Sequence, residues 1–117
     1  GPRLKALWWM QGEQDASGTA FSAGYQANLQ AVFDTLKTHC GYPSGVKAVI
    51  ARIRNLDPLM NATAAAAVRA DQAAFVTANG ANAALIDTDA FALSDQVHYS
   101  AAGQKSLGQA FHGAVTW

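Results

Sequence analysis

The sequence predicts an α/β protein built on a parallel sheet. Short apolar runs of the length of buried strands occur three times along the chain, within residues 4–10, 46–53 and 82–89. Each run is followed by a longer segment whose apolar residues recur at helical spacing. Crossovers between such strands are right-handed and cover both faces of a parallel sheet with helices. We therefore expect three layers, α/β/α, in the order β-α-β-α-β-α.

The first strand and helix are predicted from the first third of the chain. The run "LKALWWM" is mostly apolar and precedes Gly12 and the turn-rich segment 16–22, which favours a strand leading into a loop. By periodicity alone, "LWWM" could also begin a helix. Ser22 is a candidate helix cap, and Gly41 supplies a stop signal. The helix between them has apolar residues three and four positions apart, namely Tyr25, Leu29, Val32, Phe33 and Leu36.

The two later strand and helix pairs follow the same pattern. "VKAVIARI", residues 46–53, is apolar and β-branched, as expected of a buried strand. The alanine-rich segment 61–78 predicts a helix, because alanine has the highest helix propensity. "NAALIDTD", residues 82–89, predicts the third strand. A last helix is expected from Ser100, a capping residue, with its apolar stripe at Leu107, Phe111 and Val115.

Composition limits the classes of partner. Half of the 117 residues are hydrophobic and 14% are charged, which predicts one globular α/β domain over residues 1–117, with Gly1 and Pro2 expected to be a cloning remnant. The eight basic and eight acidic residues cancel without forming a basic cluster, so we expect no nucleic-acid partner. No apolar stretch approaches the roughly 20 residues of a membrane span, so we expect no membrane partner.

Cysteine and histidine positions give no sign of a metal site. The single cysteine, Cys40, is compatible with a reducing compartment and with export, so the localisation stays open. His39, His98 and His112 do not show the spacing of a ligand set, either with each other or with Cys40. We therefore predict no metal ion and no other cofactor.

The carboxyl ends of the predicted strands are the expected place of a site, because loops that follow parallel strands converge there. These loops are "QGEQD" (11–15), "RNLD" (54–57) and "ALSDQVHYS" (92–100). Trp9 and Arg54 are candidate substrate contacts at this edge. The structural alternative is packing for Trp9 and solvation for the loop charges, which are Arg52, Arg54 and Asp57.

Asp95 and His98 form the pattern that points most directly to a catalytic reaction. They lie three residues apart in a short loop, so the Asp95 carboxylate is expected to accept a hydrogen bond from the His98 Nδ1–H. Such a bond fixes the imidazole tautomer and leaves Nε2 to take a proton from a nucleophile such as a serine hydroxyl. An Asp-x-x-His pair is common, and a structural loop clip is the alternative. Its position after an apolar strand and before a capped helix favours the functional interpretation.

Two blocks of sequence together resemble a known family. "WWMQGE" (8–13) and "DQVH" (95–98) are similar to the Trp-x-x-Gln-Gly-Glu and Asp-x-x-His blocks of SGNH/GDSL-type hydrolases, within them the sialate O-acetylesterase and carbohydrate esterase 6 group. The segments "YQANL", "VRADQ" and "HYSAAGQKSLG" also resemble connecting segments of that group. Either block alone is weakly specific, whereas the pair in this order on this scaffold is fairly specific.

The resemblance implies a flavodoxin-like hydrolase fold, of which this chain forms about half, and an ester hydrolase that acts through an acyl-enzyme. His98 is implied as general base and acid, and Asp95 as the group that orients it and stabilises the imidazolium. Gln11 takes the place of an oxyanion-hole side chain, with the Gly12 N–H as a second donor. Glu13 is expected to order this loop rather than transfer protons. The implied substrate is a small ester or an acetylated carbohydrate.

The nucleophile is the point at which the chain departs from the family. Relatives carry the serine in a Gly-Asp-Ser or Gly-Gln-Ser-Asn block near their amino terminus, and this sequence has no such block. None of its serines stands in that context: Ser17, Ser22, Ser44, Ser94, Ser100 and Ser106. We therefore expect the carboxyl-terminal half of a hydrolase, inactive alone, whose unpaired sheet edge would pair with the missing half or in a homodimer.

A non-catalytic glycan-binding module on the same scaffold is the alternative hypothesis. An aromatic and polar rim, rather than a serine, would then carry the function. A Gly-x-Ser block upstream would support the enzyme, and its absence would support the binding module. Within this sequence, the presence of both Asp95 and His98 favours the enzyme, because glycan binding alone does not need that pair.

Overall fold

A computed structural model describes residues 1–42, 45–55 and 58–115 of the chain. Two residues considered above, Ser44 and Asp57, lie outside this described part. The strands are β1 (Ala6–Trp9), β2 (Lys47–Ala51) and β3 (Ala83–Ile86). The helices are α1 (Thr19–Ser22), α2 (Tyr25–Cys40), α3 (Ala62–Asn79) and α4 (Ala101–Gly113), with short 3-10 turns at Asp15–Ser17 and Gly80–Asn82.

The sheet is parallel, with strand order β1-β2-β3. Trp9 is paired with Ile50 of β2, and Ile50 is paired with Leu85 of β3. The central strand β2 is the most buried of the three, because it has a neighbour on each side and helices above and below. The predicted fold class is therefore confirmed, and "LWWM" forms a strand rather than a helix.

The helices cover the two faces of the sheet unequally. On one face, α2 and α3 pack against Ala48 and Ile50, and the rings of Phe33 and Phe75 meet edge to face with centroids 5.6 Å apart. On the other face, α4 packs Leu107 and Phe111 against a second apolar cluster. Alternate residues of β2 supply the two clusters, as the pleat of a strand requires. The three layers α/β/α are thus present.

Of the three long helices, α3 and α4 begin with a side-chain cap and α2 does not. The Ser100 side chain accepts a hydrogen bond from the Gly103 N–H at 3.1 Å, which confirms the predicted cap of α4. Asn61 caps α3 in the same way. The prediction for Ser22 is wrong, because Ser22 is buried at the end of α1, where its hydroxyl donates to the Thr19 carbonyl. The residue before α2 is Gly24, with φ +76°.

Segment boundaries also differ from the predictions. Each strand is shorter than its apolar run, since the ends of the runs turn into the adjoining loops. The segment 16–22, expected to be an open loop, contains most of one 3-10 turn and all of α1. Its small residues pack closely, and the Ala16 side chain is fully buried. Within the described residues, no helix combines the length and the apolar character needed to cross a bilayer.

The outer edge of β1 carries exposed apolar side chains. In the part of the chain that the structure describes, β1 is hydrogen-bonded to a strand on one side only. Trp8 is 49% exposed although its ring stacks on Phe111, with centroids 5.3 Å apart. Met10 is 44% exposed. The prediction that Val32 faces the core is wrong, because Val32 is 40% exposed and lines a cleft together with Trp9 of β1. We call these residues the β1 edge.

Candidate functional site

Two clefts border the loops at the carboxyl ends of the strands, in the part of the chain that the structure describes. The cleft beside α4, here named the histidine cleft, has a volume of about 280 Å³ and is lined by Met10, Glu13, Val97, His98, Tyr99 and Gln104. The cleft beside α2, named the tyrosine cleft, has a volume of about 360 Å³ and is lined by Trp9, Gln11, Asp15, Tyr25, Asn28, Leu29 and Val32. The predicted site residues are therefore divided between two faces of the sheet.

Asp95 and His98 form the predicted hydrogen bond. The His98 Nδ1 lies 2.7 Å from the Asp95 Oδ2. The other carboxylate oxygen, Oδ1, accepts the backbone N–H groups of Val97 and His98, each at 2.7 Å. A bridge between Leu93 and Tyr99 closes the loop behind the pair. The side chains are 77% exposed for His98 and 55% for Asp95, so solvent and substrate can reach the pair.

Hydrogen bonds to the Asp95 carboxylate lower its pKa from 3.8 to about 2. The largest contribution comes from the backbone N–H of His98, followed by that of Val97 and by the His98 ring. Asp95 is therefore ionised at every pH at which an imidazole can act as a base. Its contribution to folding stability is fully present above the unfolded-state pKa of 3.8 and is lost as the pH falls through about 2.

The backbone origin of this shift gives a testable prediction. His98→Ala is expected to leave the pKa of Asp95 well below 3.8, because alanine keeps the N–H that contributes most. The chemical shift of the Asp95 carboxyl carbon, followed by NMR against pH, measures it. As a control, Lys37→Ala should return the pKa of Asp34 toward 3.8, because the Lys37 side chain is the largest cause of that depression. An Asp95 midpoint near 3.8 in His98→Ala would contradict the assignment.

Gln11 points into the tyrosine cleft rather than the histidine cleft. Its amide nitrogen donates to the Asp15 carboxylate at 2.6 Å. Its Oε1 lies 3.2 Å from the Tyr25 hydroxyl, whose single hydrogen is shared between this oxygen and the Gln11 backbone carbonyl at 2.9 Å. Trp9 lies in the same cleft and donates its indole N–H to the Tyr25 hydroxyl at 3.1 Å. One hydrogen of the Gln11 amide is thus occupied, and an amide nitrogen carries two. The oxyanion role of Gln11 and the substrate contact of Trp9 stay predictions.

Gly12 and Glu13 lie between the two clefts. Gly12 is buried and has φ +136°, a conformation that side-chain-bearing residues rarely adopt. Glu13 is half-buried and lines the histidine cleft, so it is the member of the first loop that shares this cleft with His98. Its predicted role in ordering the loop stays a prediction.

Arg54 ties the second loop to the third. Its guanidinium donates to the Phe91 carbonyl at 2.7 Å and to the Thr88 carbonyl at 3.4 Å. Its predicted contact with substrate stays a prediction, and these two bonds give the side chain a structural task in addition. Thr88 is fully buried, and its hydroxyl donates a hydrogen bond to the Arg52 carbonyl at 2.6 Å. Donors from both segments therefore connect them.

Three residues that were not predicted as site residues hold the loops of the site in place, although each lies in a segment that resembles the family. Arg69 of α3 forms two hydrogen bonds to the Asp89 carboxylate, at 2.9 and 3.0 Å. Gln72 of α3 is fully buried and bonds to the first loop and to the end of β2. Burial raises the pKa of the Tyr25 hydroxyl above its usual value, and the hydrogen bonds from Trp9 and Gln72 offset part of that increase. Gln72 did leave a signal, because it is a polar residue on the apolar stripe that includes Val68 and Phe75.

The described serines in loops are engaged by backbone groups. Ser94 donates to the His98 carbonyl at 3.2 Å, Ser17 donates to the Gln14 carbonyl at 2.7 Å, and Ser100 caps α4. Among the residues that the structure describes, no group of three or more acidic, histidine or cysteine side chains is gathered in a way that could hold a metal ion.

Comparison with known proteins gives two similarities. A family model described as "Carbohydrate esterase, sialic acid-specific acetylesterase" matches residues 1–116. The fold is similar to an X-ray structure of a protein from Arabidopsis thaliana, with a TM-score of 0.70 and 25% sequence identity. The similarity covers 96% of this chain and 45% of the Arabidopsis protein, so this chain spans less than half of that protein's length. No curated protein matches the chain.

Proposed function

The chain belongs to the carbohydrate esterase family of sialic acid-specific acetylesterases, and from this membership we propose that it is the carboxyl-terminal part of a serine ester hydrolase that removes acetyl groups from carbohydrates. It contributes the pair Asp95 and His98 and the loop Gln11–Glu13. The nucleophilic serine comes from an amino-terminal half of the fold that these 117 residues do not include. The 117-residue chain is therefore inactive by itself.

The observation that carries the proposal is the 2.7 Å contact between the His98 Nδ1 and the Asp95 carboxylate. With Nδ1–H donated to an ionised carboxylate, Nε2 is the basic nitrogen of the ring. Nε2 takes the proton of the serine hydroxyl as its oxygen attacks the ester carbonyl, and the imidazolium then gives that proton to the departing alcohol. Water attacks the acyl-enzyme in the second half of the reaction, again with His98 as base.

The loop Gln11–Glu13 stabilises the oxyanion in this proposal. The second hydrogen of the Gln11 amide and the Gly12 N–H are the donors, aimed at the negative charge that develops on the carbonyl oxygen. Loss of one such donor costs roughly 3 to 4 kcal/mol of transition-state stabilisation in other hydrolases. To donate to the oxyanion, the Gln11 side chain has to reach past β1. The outer side of β1 is the edge at which the missing half is expected.

The β1 edge supports pairing with an amino-terminal half. A strand added there would complete the hydrogen bonds of β1 and bury Trp8, Met10 and Val32, which are between 40% and 49% exposed. The Arabidopsis protein has more than half of its length outside the part that this chain resembles, which is ample for such a half. A homodimer formed through the same edge is the competing use of this surface.

Hydrolysis of 4-nitrophenyl acetate tests the proposed function. The chain alone should give no turnover above the uncatalysed rate. Mixed with a separately produced amino-terminal half of a family member that carries the Gly-Gln-Ser-Asn block, it should give turnover that His98→Ala abolishes. Turnover by the chain alone, lost in His98→Ala, would show that the chain contains its own nucleophile and would overturn the half-enzyme proposal. Binding of acetylated glycans by a mixture without turnover would support the glycan-binding module instead.

A variant at the β1 edge tests the pairing surface. Trp8→Lys is expected to weaken association with the amino-terminal half at least tenfold, because a charge replaces an indole that the partner strand would bury. Sedimentation velocity of the chain alone and of the mixture measures both homodimer and heterodimer. Phe21→Lys is the matched control, since Phe21 is 62% exposed on α1 and lines neither cleft. Equal effects of the two substitutions would exclude the β1 edge.

A further inference from the structure

Gln72 is a polar side chain in the middle of the core. It lies on α3, its exposed fraction is 0%, and its neighbours on the same helix stripe are the fully buried Val68 and Phe75. A polar group in such a place is retained only if its hydrogen bonds are satisfied. The partners of Gln72 therefore show what the residue does.

Those partners come from three different segments of the chain. The Gln72 Oε1 accepts the backbone N–H of Ile53, directly after β2, at 3.0 Å. The Nε2 donates to the Gln11 carbonyl, directly after β1, at 3.0 Å, and to the Tyr25 hydroxyl, at the start of α2, at 3.3 Å. Both amide hydrogens and the oxygen are thus used, so the amide has one orientation in which all partners are satisfied. Exchanging its O and N would set an oxygen against the Gln11 carbonyl.

Tyr25 completes the same cluster. Its hydroxyl donates to the Gln11 carbonyl at 2.9 Å, so this one carbonyl is held by both Tyr25 and Gln72. The backbone of the loop also lies directly on the amide, because a Cβ at Gly12 would be 3.2 Å from the Gln72 Nε2. The loop therefore has no room to rotate on that side.

Holding the Gln11 carbonyl also orients the next N–H group. The peptide between Gln11 and Gly12 is trans, and in a trans peptide the C=O and the following N–H point in opposite directions. The carbonyl points toward Gln72 on α3. The Gly12 N–H consequently points away from α3.

We infer that Gln72 is a positioning residue that fixes the direction of the Gly12 N–H. This inference rests on the proposed function, in which that N–H is an oxyanion donor. Gln72 touches no reacting atom in this scheme and acts only through the first loop, with Tyr25 as the second support. It also joins this loop to the segment that follows β2, through the Ile53 N–H.

Backbone hydrogen exchange of the 117-residue chain tests the inference without substrate. The Ala16 N–H, which donates to the Gly12 carbonyl at 2.9 Å, reports on the loop, and the Val49 N–H in β2 reports on the core. In Gln72→Met, a substitution of similar size, exchange at Ala16 should accelerate about tenfold more than exchange at Val49, because only the loop loses its anchor. In the control Phe75→Leu, which perturbs the same helix stripe, the two amides should accelerate by the same factor. An unchanged ratio in Gln72→Met would overturn the inference.

A second variant keeps the test decisive if Gln72→Met does not fold. Tyr25→Phe removes the hydroxyl that donates to the Gln11 carbonyl and accepts from the Gln72 amide and the Trp9 indole N–H, and should give roughly threefold selective acceleration at Ala16. If the ratio of the exchange rates at Ala16 and Val49 is unchanged in Tyr25→Phe, the inference that Gln72 and Tyr25 hold the loop is likewise overturned.

A kinetic arm separates this inference from the proposed function. In the mixture with the serine-bearing half, Gln72→Met should lower kcat at least tenfold and leave KM within about twofold, because an oxyanion donor acts mainly in the transition state. If Gln72→Met selectively accelerates exchange at Ala16 but leaves kcat unchanged, Gln72 still anchors the loop, and the oxyanion role of the Gly12 N–H is overturned. Absence of turnover in the unsubstituted mixture would count against the proposed function alone, since the exchange result does not depend on it.

Discussion

Gly12→Ala is expected to destabilise the chain by about 3 kcal/mol. Two costs add. Alanine at φ +136° is strained, by about 1 to 3 kcal/mol. Its Cβ would also lie 3.0 Å from both the Ile53 Cγ2 and the Val68 Cγ1, so two fully packed side chains would have to move, at a cost of about 1 to 3 kcal/mol. The free energy of unfolding in urea measures the sum.

Gly24→Ala is the control that separates strain from crowding. Gly24 also has a positive φ, +76°, but a Cβ there would meet nothing within 4 Å. Its substitution should therefore cost about 1 kcal/mol, the strain of a single left-handed residue. Equal losses of stability at the two positions would show that crowding of Gly12 against Ile53 and Val68 does not restrict this loop.

Asp95→Asn and His98→Ala are each expected to lower kcat of the assembled esterase by about a thousandfold to ten-thousandfold. Asparagine leaves the loop geometry but offers an amide where the carboxylate accepted the ring N–H, so the imidazole is held in the wrong tautomer. Alanine at position 98 removes the base itself. Because the two residues act as a unit, the double variant should be little worse than either single variant.

His98→Ala should leave stability almost unchanged. His98 and Asp95 are mostly solvent-exposed, so the free energy of unfolding is expected to change by no more than about 0.5 kcal/mol for His98→Ala. His112→Ala, on the exposed face of α4, is the matched control and should retain full activity. A loss of activity that follows a loss of stability in both histidine variants would contradict a chemical role for His98.

Local sequence patterns were sufficient for the fold. The helices α3 and α4 begin within one residue of their predicted starts, because helical spacing and a capping residue specify these ends locally. The helix α2 begins at Tyr25, the first residue of its predicted apolar stripe, and not after a Ser22 cap. The segment 16–22 was missed, since small residues such as Ala16 and Gly18 are typical of loops and form a turn here only through packing on α3. Membership of the esterase family, expected from two short blocks, is confirmed over residues 1–116.

The site could be predicted only where its partners are close in sequence. Asp95 and His98 are three residues apart, so their hydrogen bond could be expected from spacing alone. Gln72 and Gln11 are separated by 61 positions, and Arg69 and Asp89 by 20, so no local pattern specifies these pairs. The division of Gln11 and Glu13 between two clefts depends on the direction of the chain after β1, which the buried Gly12 sets through its contacts with α3.

The uncovered β1 edge has a consequence for how the protein behaves in concentrated solution. Its indole and thioether groups form an exposed apolar strip on each molecule. In the part of the chain that the structure describes, no strand pairs with the outer side of β1, so its backbone N–H and C=O groups there are open to a strand of a neighbouring molecule. The formal net charge is +0 at pH 7, so long-range repulsion does not keep molecules apart there. Colloidal stability is consequently expected to be lowest near neutrality, and preparations at a pH well away from 7.0 and at low protein concentration are expected to keep the chain monodisperse.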